Sequence, residues 1–488
     1  MGRRSISELR SRGGAPANGA RLAVVAAASL LAAASLLALW PGYALYDSVG
    51  QYRQALNGQY DDWHPPVMAR LWAVLHGWFG GTTGPMLAFQ MGTYWLGFGL
   101  IAEALATCGR SQSAGAVLLL AASPLLLGWQ GAILKDAQML GALVAGVGIV
   151  AAFALRDRRV PMIISTVVAV LFAYALLVRS NAVFAVVPLV VFLAPRPVGL
   201  VGRLVTIGVL SLAVIAAEPW LNSHVFGASA SGVEKTLPLY DLAAIGVREP
   251  GGSPFTPAEL ATVRAKGCVK PFFWDPLGDE AACGGQVGRL REEEPATLYR
   301  LWARGIAAHT DVYARHRLTH WNSTERWLVP PGLIGSEPPT ISEPNDLGLV
   351  ALSSRPATII QSLGGAEAGT PLGWPIVWTL LALVVVPVAW GRRNESAAGL
   401  ALALAGSAVG MEASLLVVSI AADLRYHLWP MAASALALIL LAYGPPIRRG
   451  PGMLAVLALV GVVAAGLYAR STLARAPATY RAMIEASG

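Results

Sequence analysis

Charge is what this sequence has least of. Asp, Glu, Lys and Arg make up 13% of its 488 residues, about half the share of a typical soluble domain. That excludes an ordinary soluble enzyme, and the 55% hydrophobic content and mean hydropathy of +0.56 place the chain in a bilayer. Lysine is confined to Lys135, Lys235, Lys266 and Lys270, so the net charge of +8 rests on arginines. These sit in short clusters between apolar runs and build no basic face, which argues against a nucleic-acid partner. The Arg-over-Lys bias, with abundant Ala, Gly and Pro, is the composition of a GC-rich bacterial genome. Cysteine is scarce too. Three residues fit no zinc pattern; Cys108 lies beside Arg110, and Cys268 and Cys283 share one polar loop. They are either a bonded pair, if that loop faces an oxidising compartment, or two free thiols. No Gly-rich phosphate loop followed by Lys-Ser/Thr occurs. Internal repeats and long low-complexity tracts are also lacking.

What is present is a series of apolar spans: 22–42, 86–107, 113–131, 137–155, 160–178, 182–195, 203–219, 373–390, 396–420, 428–443 and 452–468. The pattern predicts an all-α polytopic membrane protein with about 11 transmembrane helices. The first run has no small-residue cleavage site behind it and reads as an uncleaved helix. Alternate ends carry the basic residues: Arg3, Arg4, Arg10, Arg12 and Arg21, then Arg110, Arg156/Arg158/Arg159, Arg196/Arg203, Arg392/Arg393 and Arg448/Arg449. By the positive-inside rule the N-terminus is cytoplasmic and the opposite ends lie outside. The organisation expected is a cytoplasmic tail 1–21, a transmembrane module 22–219, an extracytoplasmic domain 220–372, a second transmembrane module 373–468 and an external tail 469–488. Within the first module, loop 43–85 is external, and its stretch Val67–Phe79 places Leu71, Val74, Leu75 and Trp78 on one face of an interfacial helix.

That loop concentrates carboxylates in a chain that otherwise avoids them: Asp47, then Tyr60-Asp61-Asp62-Trp63-His64-Pro65-Pro66. Asp47 stands just past the first span. It can serve as a general base toward a hydroxyl, or as a cap for the following helix. Asp61, Asp62 and His64 can orient an acceptor, supply a second acid/base or hold a divalent cation, Mg or Mn; a solvated turn stopped by the two prolines is the plain alternative. Late in the chain, Asp423-Leu424-Arg425-Tyr426-His427-Leu428-Trp429-Pro430 brings a guanidinium suited to phosphate to the outer end of a span, or else an aromatic anchor in which Asp423 neutralises Arg425. Lys135-Asp136 and Arg179-Ser180-Asn181 mark the same face, as ion pairs or as help for an anionic headgroup. Glu412, inside a span, is expected to be protonated or hydrogen-bonded and structural. His224, Asp241, His309, Asp311, His316 and His320 form no catalytic or metal pattern and are expected at the surface of the large loop.

Together these motifs resemble the GT-C class of glycosyltransferases, which includes protein O-mannosyltransferases and aminoarabinose transferases. In that class an acidic residue follows the first helix, then come a His/Lys-Pro-Pro element and an interfacial helix; Asp47, His64-Pro65-Pro66 and Val67–Phe79 match them. Arg425-Tyr426 ahead of Pro430 is similar to the late Arg-Tyr element of family members. Asp47 is followed by Ser48, so the double-acid form of many members is missing, and both Asp47 and the Asp61/Asp62 pair remain candidates for the base. The resemblance implies transfer of a sugar from a polyprenyl-phosphate donor to an extracytoplasmic glycan, lipid or protein at a bacterial plasma membrane. Asp47, Asp61 and Asp62 are then the catalytic candidates, and His64, Lys135, Arg179, Arg425 and Tyr426 the substrate-binding ones. A polytopic transporter or lipid-linked sugar flippase is the alternative, although the acids here gather in a loop and not at a midplane site between repeats.

Overall fold

In the computed structural model, residues 14–194, 199–349, 354–442 and 449–485 are described. Arg3, Arg4, Arg10, Arg12, Arg196 and Arg448 lie outside these residues. The regular structure of the described residues is helical apart from two isolated bridges and one two-residue strand pair, in which Tyr60–Asp61 runs parallel to Ala228–Ser229. Each expected span falls on one helix except 113–131, which runs over two, and the expected count of eleven is not reached by length and apolarity. Among the described residues six helices meet both criteria, or seven if Ser111–Ala121 and Pro124–Gln130, bent by 50°, form one span. Met162–Val178, Ser180–Leu193 and Pro375–Gly391 are apolar but shorter. The protein is a multi-pass membrane protein of all-α build.

Two helix groups form the core. In the first, Gly84–Thr107 packs along Lys135–Ala154, and glycine lets the backbones meet: a Cβ on Gly97 would lie 2.3 Å from the Val144 carbonyl, and one on Gly148 would lie 2.5 Å from the Gly97 oxygen. The second group joins Ser396–Val418 to Val183–Leu193 and Leu428–Leu441, with Gly410 against the Phe184 carbonyl. Leu428–Leu441 also contacts Lys135–Ala154 and so locks the two groups together. The helices Asn18–Leu39, Leu200–Val225 and Gly452–Thr472 are peripheral and expose most of their apolar surface, as a lipid-facing helix does.

The polar segments gather at one end of this bundle. Val67–Phe79 is a helix as expected; it buries Met68, Ala69 and Trp72, while Val74 and Trp78 face outward. Between 220 and 372 lie short helices around a small core of Leu239, Tyr240, Leu260, Cys268, Trp274, Cys283 and Leu298. Cys268 and Cys283 are disulfide-bonded, which settles the choice left open by the sequence. One expectation needs correction. Asp241, His316 and His320 are not at the surface; they are buried, with Asp241 paired to both Arg317 and His316. That network ties the domain to the bundle, because Arg317 donates to the Ser419 carbonyl at 2.7 Å.

Candidate active site

The site begins with a bridge between Tyr43 and Ala132. The Tyr43 N–H donates to the Gly131 carbonyl at 2.9 Å and the Ile133 N–H to the Tyr43 carbonyl at 2.8 Å. Ser48 Oγ then donates to the Ile133 carbonyl at 2.5 Å, so the starts of helices Tyr46–Asn57 and Lys135–Ala154 lie side by side. Asp47 and Lys135 therefore meet, with Lys135 Nζ 3.7 Å from Asp47 Oδ2. Asp47 does not cap its helix, as one reading of the sequence had it. The cap residue is Leu45, and Asp47 sits in the first turn, where the helix dipole favours a negative charge.

Arg425 reaches the same carboxylate from a far part of the chain. Leu424–His427 is a single 3₁₀ turn, which buries Leu424 and His427 and leaves Arg425 and Tyr426 half-buried on the site side. Arg425 Nη1 donates to Asp47 Oδ2 at 3.0 Å and Nε to Asp423 Oδ2 at 3.1 Å. Beneath the turn, His427 Nδ1 lies 2.8 Å from Glu412, so the intramembrane carboxylate is buried and hydrogen-bonded. His64 closes the ring of partners: its Nε2 is 3.5 Å from Asp47 Oδ1 and its Nδ1 is 2.5 Å from Lys135 Nζ. An ammonium can only donate, so Nδ1 must accept and the proton belongs on Nε2, facing Asp47.

The electrostatics follow from this arrangement. Burial alone would push the Asp47 carboxyl up, but Arg425, Lys135 and His64 together hold it well below the ordinary value of 3.8. Burial and the Lys135 charge push the His64 imidazole below 6.5 despite Asp47, which agrees with a neutral ring. Lys135 and Asp136 do not pair with each other. Asp136 is buried and paired with Arg179, which also donates to Asn181 Oδ1 at 2.6 Å. The Arg179 guanidinium lies 4.2 Å from the centroid of the Tyr426 ring, and that of Arg425 lies 5.4 Å from it. Arg179 and Tyr426 thus form packing behind Arg425.

Asp61 and Asp62 are used elsewhere. Asp61 Oδ1 accepts from the Trp63 N–H at 3.0 Å, an Asx turn, and Asp62 Oδ1 accepts from the Ser231 N–H and hydroxyl, each at 2.7 Å. Asp61, Asp62 and His64 do not converge as cation ligands: among the described residues no group of three His, Cys, Asp or Glu side chains could hold a metal ion. The Ser231 contact instead fastens the 60–66 loop to the large domain.

A cleft of about 260 Å³ opens beside Asp47 and Arg425, walled also by Asp423, Glu337, Glu343, Tyr46 and Trp129. Comparison with known proteins places little around this geometry. The sequence matches no family profile and no curated protein. In three dimensions it is similar to ArnT from Cupriavidus metallidurans bound to undecaprenyl phosphate, with a TM-score of 0.30 and 14% identity over 86% of this chain and 76% of that one.

Sequence reasoning passed over Glu337, Glu343 and Trp129. Each stands in a stretch with no charge cluster or spacing to single it out, and only the fold of loop 335–349 brings the two acids to the cleft. The Glu343 N–H donates to the Ala44 carbonyl at 2.8 Å, and the Ala44 N–H to Ser342 Oγ at 3.1 Å. Gly335 is held at φ +79°, where its carbonyl accepts from the Leu424 N–H at 2.8 Å.

Proposed function

We propose that this chain is an integral membrane glycosyltransferase of the GT-C type, transferring a sugar from a polyprenyl-phosphate donor to an extracytoplasmic hydroxyl, with Asp47 as general base. The observation that carries this reading is the contact of one ionised carboxylate with Arg425, Lys135 and His64, at the rim of an apolar helix bundle. In the resting site the Arg425–Asp47 pair keeps both partners charged. A phosphate headgroup arriving from the lipid would compete for Arg425 and Lys135. Asp47 would then lose its nearest cations and become more basic at the moment an acceptor hydroxyl comes within reach. The acceptor oxygen bonds to the anomeric carbon as Asp47 takes its proton. The bond from that carbon to the phosphate oxygen breaks, its electron pair leaves with the polyprenyl phosphate, and Arg425 stabilises the departing charge. A direct displacement of this kind inverts the anomeric centre.

The assignment of the site to the outer face of a bacterial plasma membrane, with the N-terminus cytoplasmic, is supported by the Cys268–Cys283 bond in the domain beside the site. It is also supported by the basic residues at the other end of the bundle, where Arg21 and Arg156 pair with Glu103. The test is sugar transfer from a polyprenyl-phosphate donor by membranes carrying Asp47→Asn protein. We expect a loss of about 10²–10⁴-fold, the usual worth of a positioned base. Full retention would sink the role of Asp47, and movement of a solute or lipid without glycosidic bond formation would favour the transporter reading.

A further inference from the structure

The segment that carries Asp423 and Arg425 is not part of a long helix, so something outside it must fix its position. Residues 420–424 are held on two sides. On one side Phe273 bridges to Ala421 and the Trp274 N–H donates to the Ile420 carbonyl at 2.9 Å. On the other, Gly335 accepts from Leu424, and Arg326 Nη2 donates to the carbonyls of Ala422 at 2.6 Å and Ile334 at 2.7 Å. Trp63, next to His64, lies against Trp274 with ring centroids 6.2 Å apart.

Both supports are in turn gripped by the C-terminal segment. The Ala476 N–H donates to the Pro331 carbonyl at 3.0 Å, and Met483, 1% exposed, packs with Phe273, Val329 and Leu333. Tyr480 lies across Phe273, and its hydroxyl donates to Asp275 Oδ2 at 2.7 Å. Asp275 follows directly on the pair of residues that hold 420–421. Its carboxylate feels Asp423, Arg425 and Asp47.

We propose that Asp275 and Tyr480 are positioning residues for Arg425: the C-terminal helix Tyr480–Glu485 holds Asp275 and, through Phe273 and Trp274, the segment that leads to Arg425, and so sets both the placement of the guanidinium and the charge that an anionic headgroup meets. This rests on the reading of Arg425 as the headgroup site. It gives the segment after the last span a task in the site, where the sequence marked only a tail.

Charge gives the test its sign. Asp275 is hydrogen-bonded by Tyr480 of the C-terminal helix, and the charges that act on it through space are Asp423 and Arg425 from the 3₁₀ turn and its lead and Asp47 from Tyr46–Asn57; Asp279 acts on Tyr480. Burial pushes the Asp275 carboxyl up to about 6, with the Tyr480 hydrogen bond pulling the other way. Below that pH Asp275 is neutral; above it a further negative charge stands near Arg425 and opposes an anion.

The experiment measures binding of undecaprenyl methyl phosphate, a diester that stays monoanionic, to full-length protein in nanodiscs from pH 5 to 8. Hydrogen exchange of residues 273–275 and 420–425 is followed in the same samples without ligand. Wild-type affinity should fall about 3–10-fold as pH rises through 6, the effect of one partly screened charge. Asp275→Asn should flatten that profile. Tyr480→Phe should move its midpoint upward and speed exchange at 420–425 while leaving the Lys135–Ala154 helix unchanged. Binding with the wild-type profile in both variants would overturn the proposal. If the wild-type protein binds no diester at any pH, the headgroup reading fails, and exchange decides the positioning role: unchanged exchange in Tyr480→Phe rejects it, and faster exchange at 420–425 upholds it.

Discussion

Asp47 and Arg425 are 378 residues apart in the chain and 3.0 Å apart in the structure. The contact joins helix Tyr46–Asn57 to the turn before Leu428–Leu441, so it fastens two distant parts of the chain and engages one nitrogen of the Arg425 guanidinium. Under the proposed function, an anionic headgroup that draws Arg425 away from Asp47 would raise the basicity of that carboxylate.

Removing the guanidinium should therefore act on the donor. Arg425→Ala should weaken the apparent affinity for a polyprenyl-phosphate donor by about 10–100-fold, since a charged hydrogen bond is worth about 1.5–3 kcal/mol. The acceptor KM should stay within a factor of two or so of wild type. Donor and acceptor titrations of the purified variant check this, and an unchanged donor affinity would remove Arg425 from that role.

Gly335 offers a way to disturb Arg425 without touching it. A Cβ there would lie 2.3 Å from Asp423 Oδ1, and φ is +79°. Gly335→Ala should cost about 1–2 kcal/mol from the left-handed backbone alone and drive Asp423 off Arg425. The expected result is a lower melting temperature together with altered donor affinity. A stable variant with wild-type affinity would show that Asp423 does not hold the guanidinium in place.

Glu325 is fully buried, and Thr379 Oγ1 donates to its carboxyl at 3.1 Å. Burial, together with the neighbouring Glu412, pushes its pKa well above the ordinary 4.5. A carboxyl raised in the folded state contributes stability that is present below 4.5 and lost as pH climbs through the folded value. Glu325→Gln does not titrate. Its melting temperature should gain on the wild type from pH 5 to pH 8, as thermal scans at several pH values would show; a constant difference would mean that Glu325 does not carry the proton.

The Cys268–Cys283 bond closes a separation of 15 residues, for which chain entropy predicts a stabilisation of about 3 kcal/mol. A Cys268→Ser/Cys283→Ser variant should show faster proteolysis of the 230–300 region, with the bundle helices still protected. Equal proteolysis of both forms would show that the bond adds nothing to the domain.

Much of this arrangement could be read from the chain before folding. Asp47, His64, Lys135, Arg179, Arg425 and Tyr426 stood out because polar groups at the ends of apolar spans are costly, and all six lie at the same end of the bundle. Partner choice was not legible. Lys135 and Asp136 are adjacent, yet a helix turns successive residues about 100° apart; one goes to Asp47 and the other to Arg179. Asp61 and Asp62 illustrate the reverse error, since closeness to His64 in sequence does not make three side chains converge. Span number was obscured by helices such as Val183–Leu193, which are apolar but short and packed inside protein. Asp275 and Tyr480 carry no local signal at all, because their connection exists only where the large domain and the C-terminal segment fold over each other.

Ala44 is stitched to Ser342 and Glu343 through both its N–H and its C=O, three residues ahead of the proposed base. The placement of the carboxylate therefore leans in part on an exposed, proline-containing loop nearly three hundred residues downstream. A protease cut between Pro344 and Gly348 would leave the Tyr43–Ala132 bridge and the Ser48–Ile133 hydrogen bond in place and loosen the approach to Asp47 from this one side only.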